Sequence, residues 1–156
     1  MSIAPVRAEV QVGQSPPHAF ALFTARMGEW WQDRTPGNNP AVEITLEPFS
    51  GGRWFEVDAE GVETVWGKVV EWQPPARVLL IWEMNSRFQL DPAVVTEIEI
   101  RFSETASGGT WAELEHRKLE AYGADAERLA ESIGRGWPNQ LRGFAAFTES
   151  HSMEGA

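Results

Sequence analysis

Apolar and polar positions along this chain repeat every two residues, briefly every three to four, then every two again, and finally every three to four near the end. Residues 7–12 (RAEVQV) alternate and predict a strand that Gly13 closes. Ser15 can cap a helix whose first turn accepts Pro16, so residues 15–24 predict a helix turning Phe20 and Phe23 inward. Residues 27–32 (MGEWWQ) continue as a short helical turn, ended by Pro36, Gly37 and Pro40. From Val42 the period is two, with Val42, Ile44 and Leu46 alternating with Glu43, Thr45 and Glu47. PFSGG at 48–52 is turn chemistry, 53–57 the returning strand, Glu60-Gly61 the next turn, and 63–72 a longer strand. Pro74-Pro75 separates that strand from 78–82, and 85–92 reads as a polar loop. In 96–102, Ile98, Ile100 and Phe102 face one way and Glu97, Glu99 and Arg101 the other; residues 107–109 turn the chain into a last strand, 110–116.

The tail, 124–150, is helical in period. Leu129, Ile133, Trp137, Leu141, Phe144 and Phe147 fall within roughly a third of the helix circumference, and Gly134, Gly136 and Pro138 predict a kink or short break. A helix with one apolar stripe, following a sheet wet on one face, belongs across the dry face of that sheet. The predicted architecture is α+β. A curved antiparallel sheet of about seven strands surrounds one long C-terminal helix, with two short helices after the first strand. No linker or repeat divides residues 1–156, which read as one domain.

The motifs that carry this order are MGEWW at 27–31, GGRWFE at 51–56, WGKVVEWQPPARVLLIW at 66–82, TEIEIRF at 96–102, GTWAELEHRKL at 109–119 and GWPNQL at 136–141. Together they resemble bacterial proteins related to the activator of heat-shock-protein-90 ATPase. That family lies in the START-like (SRPBCC) superfamily, with birch-pollen-allergen proteins and polyketide cyclases. The resemblance implies a helix-grip fold with an apolar pocket between sheet and helix. It says less about chemistry, because one fold hosts many functions. Eukaryotic activators use an additional N-terminal domain, whereas this sequence opens at the first strand, so ATPase activation is not the expected role.

Composition narrows the partners. The chain carries eight Trp and eight Phe against one Tyr, bulk suited to a cavity lining, a sticky surface, or a core under a curved sheet. A net charge of −10 disfavours nucleic acid and anionic membrane surfaces. The absence of cysteine removes disulfides, thiolate metal sites and Cys nucleophiles. Residues 1–5 show neither the basic region nor the apolar stretch of a signal peptide, and the longest aliphatic-aromatic run, 78–82, is too short to span a bilayer. A cytoplasmic location is expected.

Alternation and the family likeness turn Val78, Leu80 and Trp82 toward the helix, with Thr110, Ala112, Leu114 and His116; the likeness also puts Trp54 and Glu56 inward. The candidate ligand-binding set is therefore Trp30, Trp54, Glu56, Leu80, Trp82, Ile98, Ile100, Leu114 and His116, opposite Ile133, Trp137 and Leu141. These residues should line a cavity of roughly 300–1,000 Å³. Glu56 and His116 could form a proton-handling pair, orient a ligand, or each be satisfied by its own neighbours. Of Trp30 and Trp31, one should pack inward and the other lie at the pocket mouth or surface. Trp66, Trp72 and Trp111 fall outward by parity, either as a partner surface for another chain or as a cross-strand stack. Glu97, Glu99, Glu113 and Glu115 read as the solvated face. His18, His116 and His151 lack metal-ligand spacing, so no metal and no cofactor is expected, and no catalytic residue is assigned. The expected function is binding of a small apolar or aromatic molecule. The alternatives are an enzyme of cyclase, aromatase or hydrolase type in the same pocket, and an interaction module, co-chaperone-like or a homodimer.

Overall fold

The computed structural model describes residues 3–32, 35–87 and 89–151. Met1 and Ser2, at the head of the segment read for targeting signals, lie outside the described residues, as does Phe88 of the polar loop. Strands β1 (Val6–Val12), β2 (Ala41–Leu46), β3 (Arg53–Asp58), β4 (Glu63–Gln73), β5 (Arg77–Trp82), β6 (Thr96–Glu104) and β7 (Thr110–Arg117) form one sheet in the order β1-β7-β6-β5-β4-β3-β2. Every neighbouring pair is antiparallel. Helices α1 (Pro16–Ala25) and α2 (Met27–Trp30) follow β1, and a 3-10 helix (Leu119–Asp125) leads into α3 (Ala126–Ser150). The sheet curls around α3, which is the expected helix grip. Among the described residues no helix is long and apolar enough to cross a membrane.

Where register is unbroken, alternation decides which side chains are buried. β6 and β7 pair without slip from Glu97↔Arg117 to Glu104↔Thr110, and Ile98, Ile100, Phe102, Ala112, Leu114 and His116 are all buried. β4 breaks the rule twice. Opposite β3 it carries Trp66 as an extra residue, and opposite β5 it carries Val70. An extra residue bends a strand and shifts the face of the residues after it. Trp66 is consequently fully buried, and Trp72 is turned inward onto Phe20, ring centroids 5.1 Å apart. The expected outward patch of Trp66, Trp72 and Trp111 is thus corrected to Trp111 alone, 37% exposed. A register shift between Ala41 and Glu43 likewise turns Val42 out to solvent. Beside the first bulge, Gly67 has to be glycine: a Cβ there would lie 1.8 Å from the Ile81 carbonyl oxygen.

Of the kink or short break expected at Gly134–Pro138, the break is absent: α3 is one helix with Pro138 inside it. Its stripe is buried on both sides of Pro138, at Trp137 and at Leu141, and that packing holds the helix through the missing backbone bond. α1 plugs one end of the grip. Phe20 and Phe23 meet Phe102 at 5.2 and 5.6 Å, and Phe23 meets Phe144 of α3 at 5.1 Å. Space between sheet and helix is therefore left only toward the first half of α3.

On the outer face the solvated reading fails for Glu99, which is buried. Burial by itself would raise its pKa, but hydrogen bonds from Arg77 and Arg117, with the Arg77 charge and a third bond from Arg101, hold it down at about 2 instead of 4.5. A carboxylate whose pKa is lower folded than unfolded adds stability above the unfolded value and loses it as pH falls toward the folded one. The expected contribution is at most about 3 kcal/mol, lost between roughly pH 4.5 and 2. Urea titrations at stepped pH check it: wild type and Glu99→Gln should differ at pH 6 and draw together only as pH falls to about 2. A difference unchanged across that window would show the clamp to be electrostatically idle.

Candidate functional site

Six of the eight tryptophans form one connected cluster. Trp54, Trp66 and Trp82 stand mutually at 5.2 to 5.6 Å, Trp66 edge-on to the other two, Trp31 packs on Trp66 at 5.1 Å and on Trp137 at 5.9 Å, and Trp30 lies 6.0 Å from Trp31. The cluster grows from the β4 bulge, which adds the Trp66 indole to the inner face beside Trp54 and Trp82.

At the cluster's open side is a cavity of about 210 Å³ between the sheet and the first half of α3. Trp82 of β5, Ile98 of β6 and His116 of β7 form its floor, and Leu129, Ile133 and Trp137 of α3 its roof. Trp31 and Pro36 close one side, while Tyr122, Gln140 and the exposed Ser132 bring polar atoms to it. The void is smaller than the expected range because indoles fill the space that smaller side chains would leave.

Five of the twelve candidate residues line this cavity: Trp82, Ile98, His116, Ile133 and Trp137. The others take core positions. Trp30 is buried between Phe23 and Phe144 with its Nε1–H bonded to the Phe23 carbonyl, and its neighbour Trp31 faces the cavity instead. Trp54, Leu80, Ile100, Leu114 and Leu141 fill the core around it.

Glu56 and His116 do not meet, because β4, β5 and β6 lie between their strands. Glu56 is buried and fully engaged: Oε1 accepts from Trp66 Nε1 (2.9 Å) and the Gly37 backbone (2.8 Å), and Oε2 accepts from Thr35 Oγ1 (2.9 Å). Its role here is to tie residues 35–37 to the sheet, which sets Pro36 at the cavity wall. That geometry rules out the proton-handling pair.

His116 belongs to a different chain of polar contacts. Trp137 Nε1 donates to its Nδ1 (3.1 Å), and its Nε2 lies 2.8 Å from Thr96 Oγ1. Burial pushes its pKa down to about 3, so the ring is neutral at ordinary pH. Tyr122 lines the cavity, and burial raises the pKa of its hydroxyl. Sequence pattern does not single out Tyr122, because a 3-10 helix has no long period; its one signal is that it is the sole tyrosine in an aromatic-rich chain.

A second apolar depression, about 660 Å³ and open to solvent, runs between α1 and the β4–β5 turn along Phe20, Trp72, Pro17, Pro74 and Pro75. It lacks the convergent polar groups that orient a ligand. Among the described residues no group of three or more His, Asp or Glu side chains could hold a metal ion.

The family model described as Activator of Hsp90 ATPase homolog 1-like protein matches residues 15–149. Among solved structures, an anthrahydroquino-gamma-pyrone synthase, described as a complex, is 35% identical with a TM-score of 0.66, covering 93% of this chain and 97% of that one. A protein from Mesorhizobium loti is 17% identical with a TM-score of 0.69, over 94% and 98% of the two chains. One from Nitrosomonas europaea is 14% identical with a TM-score of 0.68, over 96% of each. These two share the fold. Comparison with curated proteins gives no match.

Proposed function

The chain belongs to the family of Activator of Hsp90 ATPase homolog 1-like proteins, and from that premise we propose that it binds a small aromatic molecule in the cavity between sheet and α3. The observation that carries this reading is the lining itself: three indoles and three aliphatic side chains around a void with polar atoms gathered at Tyr122 and Gln140. Planar rings suit such walls, because indole faces and edges attract aromatic neighbours beyond the area they bury. The buried Nε1–H of Trp31 has no hydrogen-bond partner among the described residues, and a ligand acceptor would relieve that cost. At about 210 Å³ the cavity holds a body of one or two fused rings, with any further ring reaching out through the mouth.

The test is calorimetric titration with 2-ethylnaphthalene, an aromatic without hydrogen-bonding groups. Wild type should bind one equivalent with a negative heat-capacity change, the mark of apolar burial. Ile133→Trp, which puts a larger side chain into the void, should fold and lose that binding. Equal binding by both proteins, or none by wild type, counts against the reading.

A second reading, a cyclase-type enzyme using the same pocket, draws on the 35% identity to the synthase. The polar groups favour binding over acid–base work. The nitrogens of His116 are engaged by Trp137 and Thr96, and the Glu56 oxygens by three donors that do not line the cavity. Turnover of an anthrahydroquinone substrate by the purified protein would decide for the enzyme.

A further inference from the structure

We infer that Thr96, a residue that does not line the cavity, positions the Trp137 indole through His116 and so sets the site's preference for aromatic rings over saturated rings of the same size. The inference rests on the proposed aromatic pocket and names a residue that governs its selectivity.

Two hydrogen bonds hold the imidazole, one at each nitrogen. Indole nitrogen has a hydrogen and no free lone pair, so Trp137 Nε1 donates to His116 Nδ1 at 3.1 Å. Nδ1 therefore carries no proton. A neutral imidazole then has its hydrogen on Nε2, which donates to Thr96 Oγ1 at 2.8 Å. Burial keeps the ring neutral by pushing its pKa down to about 3. Fixed at both ends, the ring offers its lone pair to Trp137 at one angle.

Trp137 depends on that contact. Trp31 and His116 meet it edge-on at 5.9 and 6.2 Å, but it also lines the cavity, where packing cannot brace an indole as it does in a filled core. The next residue, Pro138, brings no N–H to the helix ladder, so α3 is one backbone bond short beside it. Thr96 is firmly set. It is fully buried on β6, with Trp82 paired opposite it, and Ile98, two residues on, is paired with His116. Residues two apart on a strand share a face, so Thr96 and His116 are diagonal neighbours on the inner side of the sheet.

Orientation matters because an indole attracts another aromatic ring best when offset-stacked or edge-on to it. A roof held at one angle supplies that preference, and a roof that turns loses it. Thr96→Val nearly keeps the shape and removes the acceptor. The His116 Nε2–H is then buried without a partner, and turning the ring to relieve it takes Nδ1 away from Trp137.

The experiment compares ethylbenzene with ethylcyclohexane, nearly the same shape with and without an aromatic ring, by calorimetric titration of wild type, Thr96→Val and Thr96→Ser. The ratio of the two affinities is compared between proteins, so that the different transfer of the two compounds from water cancels. The preference for ethylbenzene should fall about fivefold in Thr96→Val, the effect of one favourable ring pair, and should be kept in Thr96→Ser. The Trp137 indole N–H should exchange faster with solvent in Thr96→Val and as in wild type in Thr96→Ser. A long-range proton–nitrogen spectrum of wild type should show the His116 hydrogen on Nε2, a readout that needs no variant to fold. A hydrogen on Nδ1, or the wild-type affinity ratio in Thr96→Val, overturns the inference while the pocket stands. If wild type binds neither compound, nor 2-ethylnaphthalene, pocket and inference fall together.

Discussion

Replacing Trp137 by alanine is expected to lower the unfolding free energy by about 3–5 kcal/mol, the usual cost of deleting a large buried side chain. Trp137 stands on the α3 stripe between Trp31 and His116 and is 8% exposed. Its loss enlarges an existing void that cannot collapse, because paired strands β5, β6 and β7 and the long helix fix the walls. It also leaves His116 Nδ1 without its donor. In a domain whose total stability is typically about 5–15 kcal/mol, that is a large fraction. Trp137→Phe keeps much of the packing but not the hydrogen bond, and should cost clearly less. Denaturant titration measures both. A loss below about 1 kcal/mol for the alanine variant would mean that the helix stripe is not packed on the sheet as described.

The second large effect is expected at Glu56. Removing its carboxylate by Glu56→Ala strands the Trp66 indole N–H, the Gly37 backbone N–H and the Thr35 hydroxyl together. Each unsatisfied buried group costs about 1–3 kcal/mol, and partial relaxation of the 35–37 segment brings the expected total to about 3–5 kcal/mol. Glu56→Gln retains one acceptor oxygen and should cost about half as much. Gly37 reports the same contact from the other side: a Cβ there would lie 2.6 Å from Glu56 Oε2. The measurement is thermal and urea unfolding of both variants, with amide exchange at Gly37 as the local readout. Wild-type stability in Glu56→Ala would show that the carboxylate holds nothing in place.

The legible part of this molecule is the part where local period survives into the sheet. β6 and β7 pair without slip, so the inward placement of Ile98, Ile100, Leu114 and His116 follows directly from alternation. β4 shows the limit. Its two extra residues have no composition signal, and they reverse the faces of Trp66 and Trp72. The Glu56–His116 pairing fails for a different reason: alternation fixes a face, but it does not count the strands lying between two positions on that face. Trp30 and Trp31 cannot be told apart by period because α2 has four residues, little more than one turn. The apolar stripe of α3 is legible, but its continuity through Pro138 is not, since there packing outweighs one lost backbone bond. The polar end of the cavity is largely invisible in sequence, since Tyr122, His116 and Gln140 come from three elements and meet at the cavity only once the register is set.

The eight indole N–H groups offer the most direct test of the central claim, that an aromatic ligand lies between α3 and the floor of β5, β6 and β7. Each gives its own cross-peak in a proton–nitrogen spectrum, assignable by single Trp→Phe variants. Titration with 2-acetylnaphthalene should move the peaks of Trp31, Trp82 and Trp137, which line the cavity, and leave those of Trp72 and Trp111 in place. Saturable shifts at Trp72, with Trp31, Trp82 and Trp137 unmoved, would place the ligand in the groove beside α1 and contradict the account.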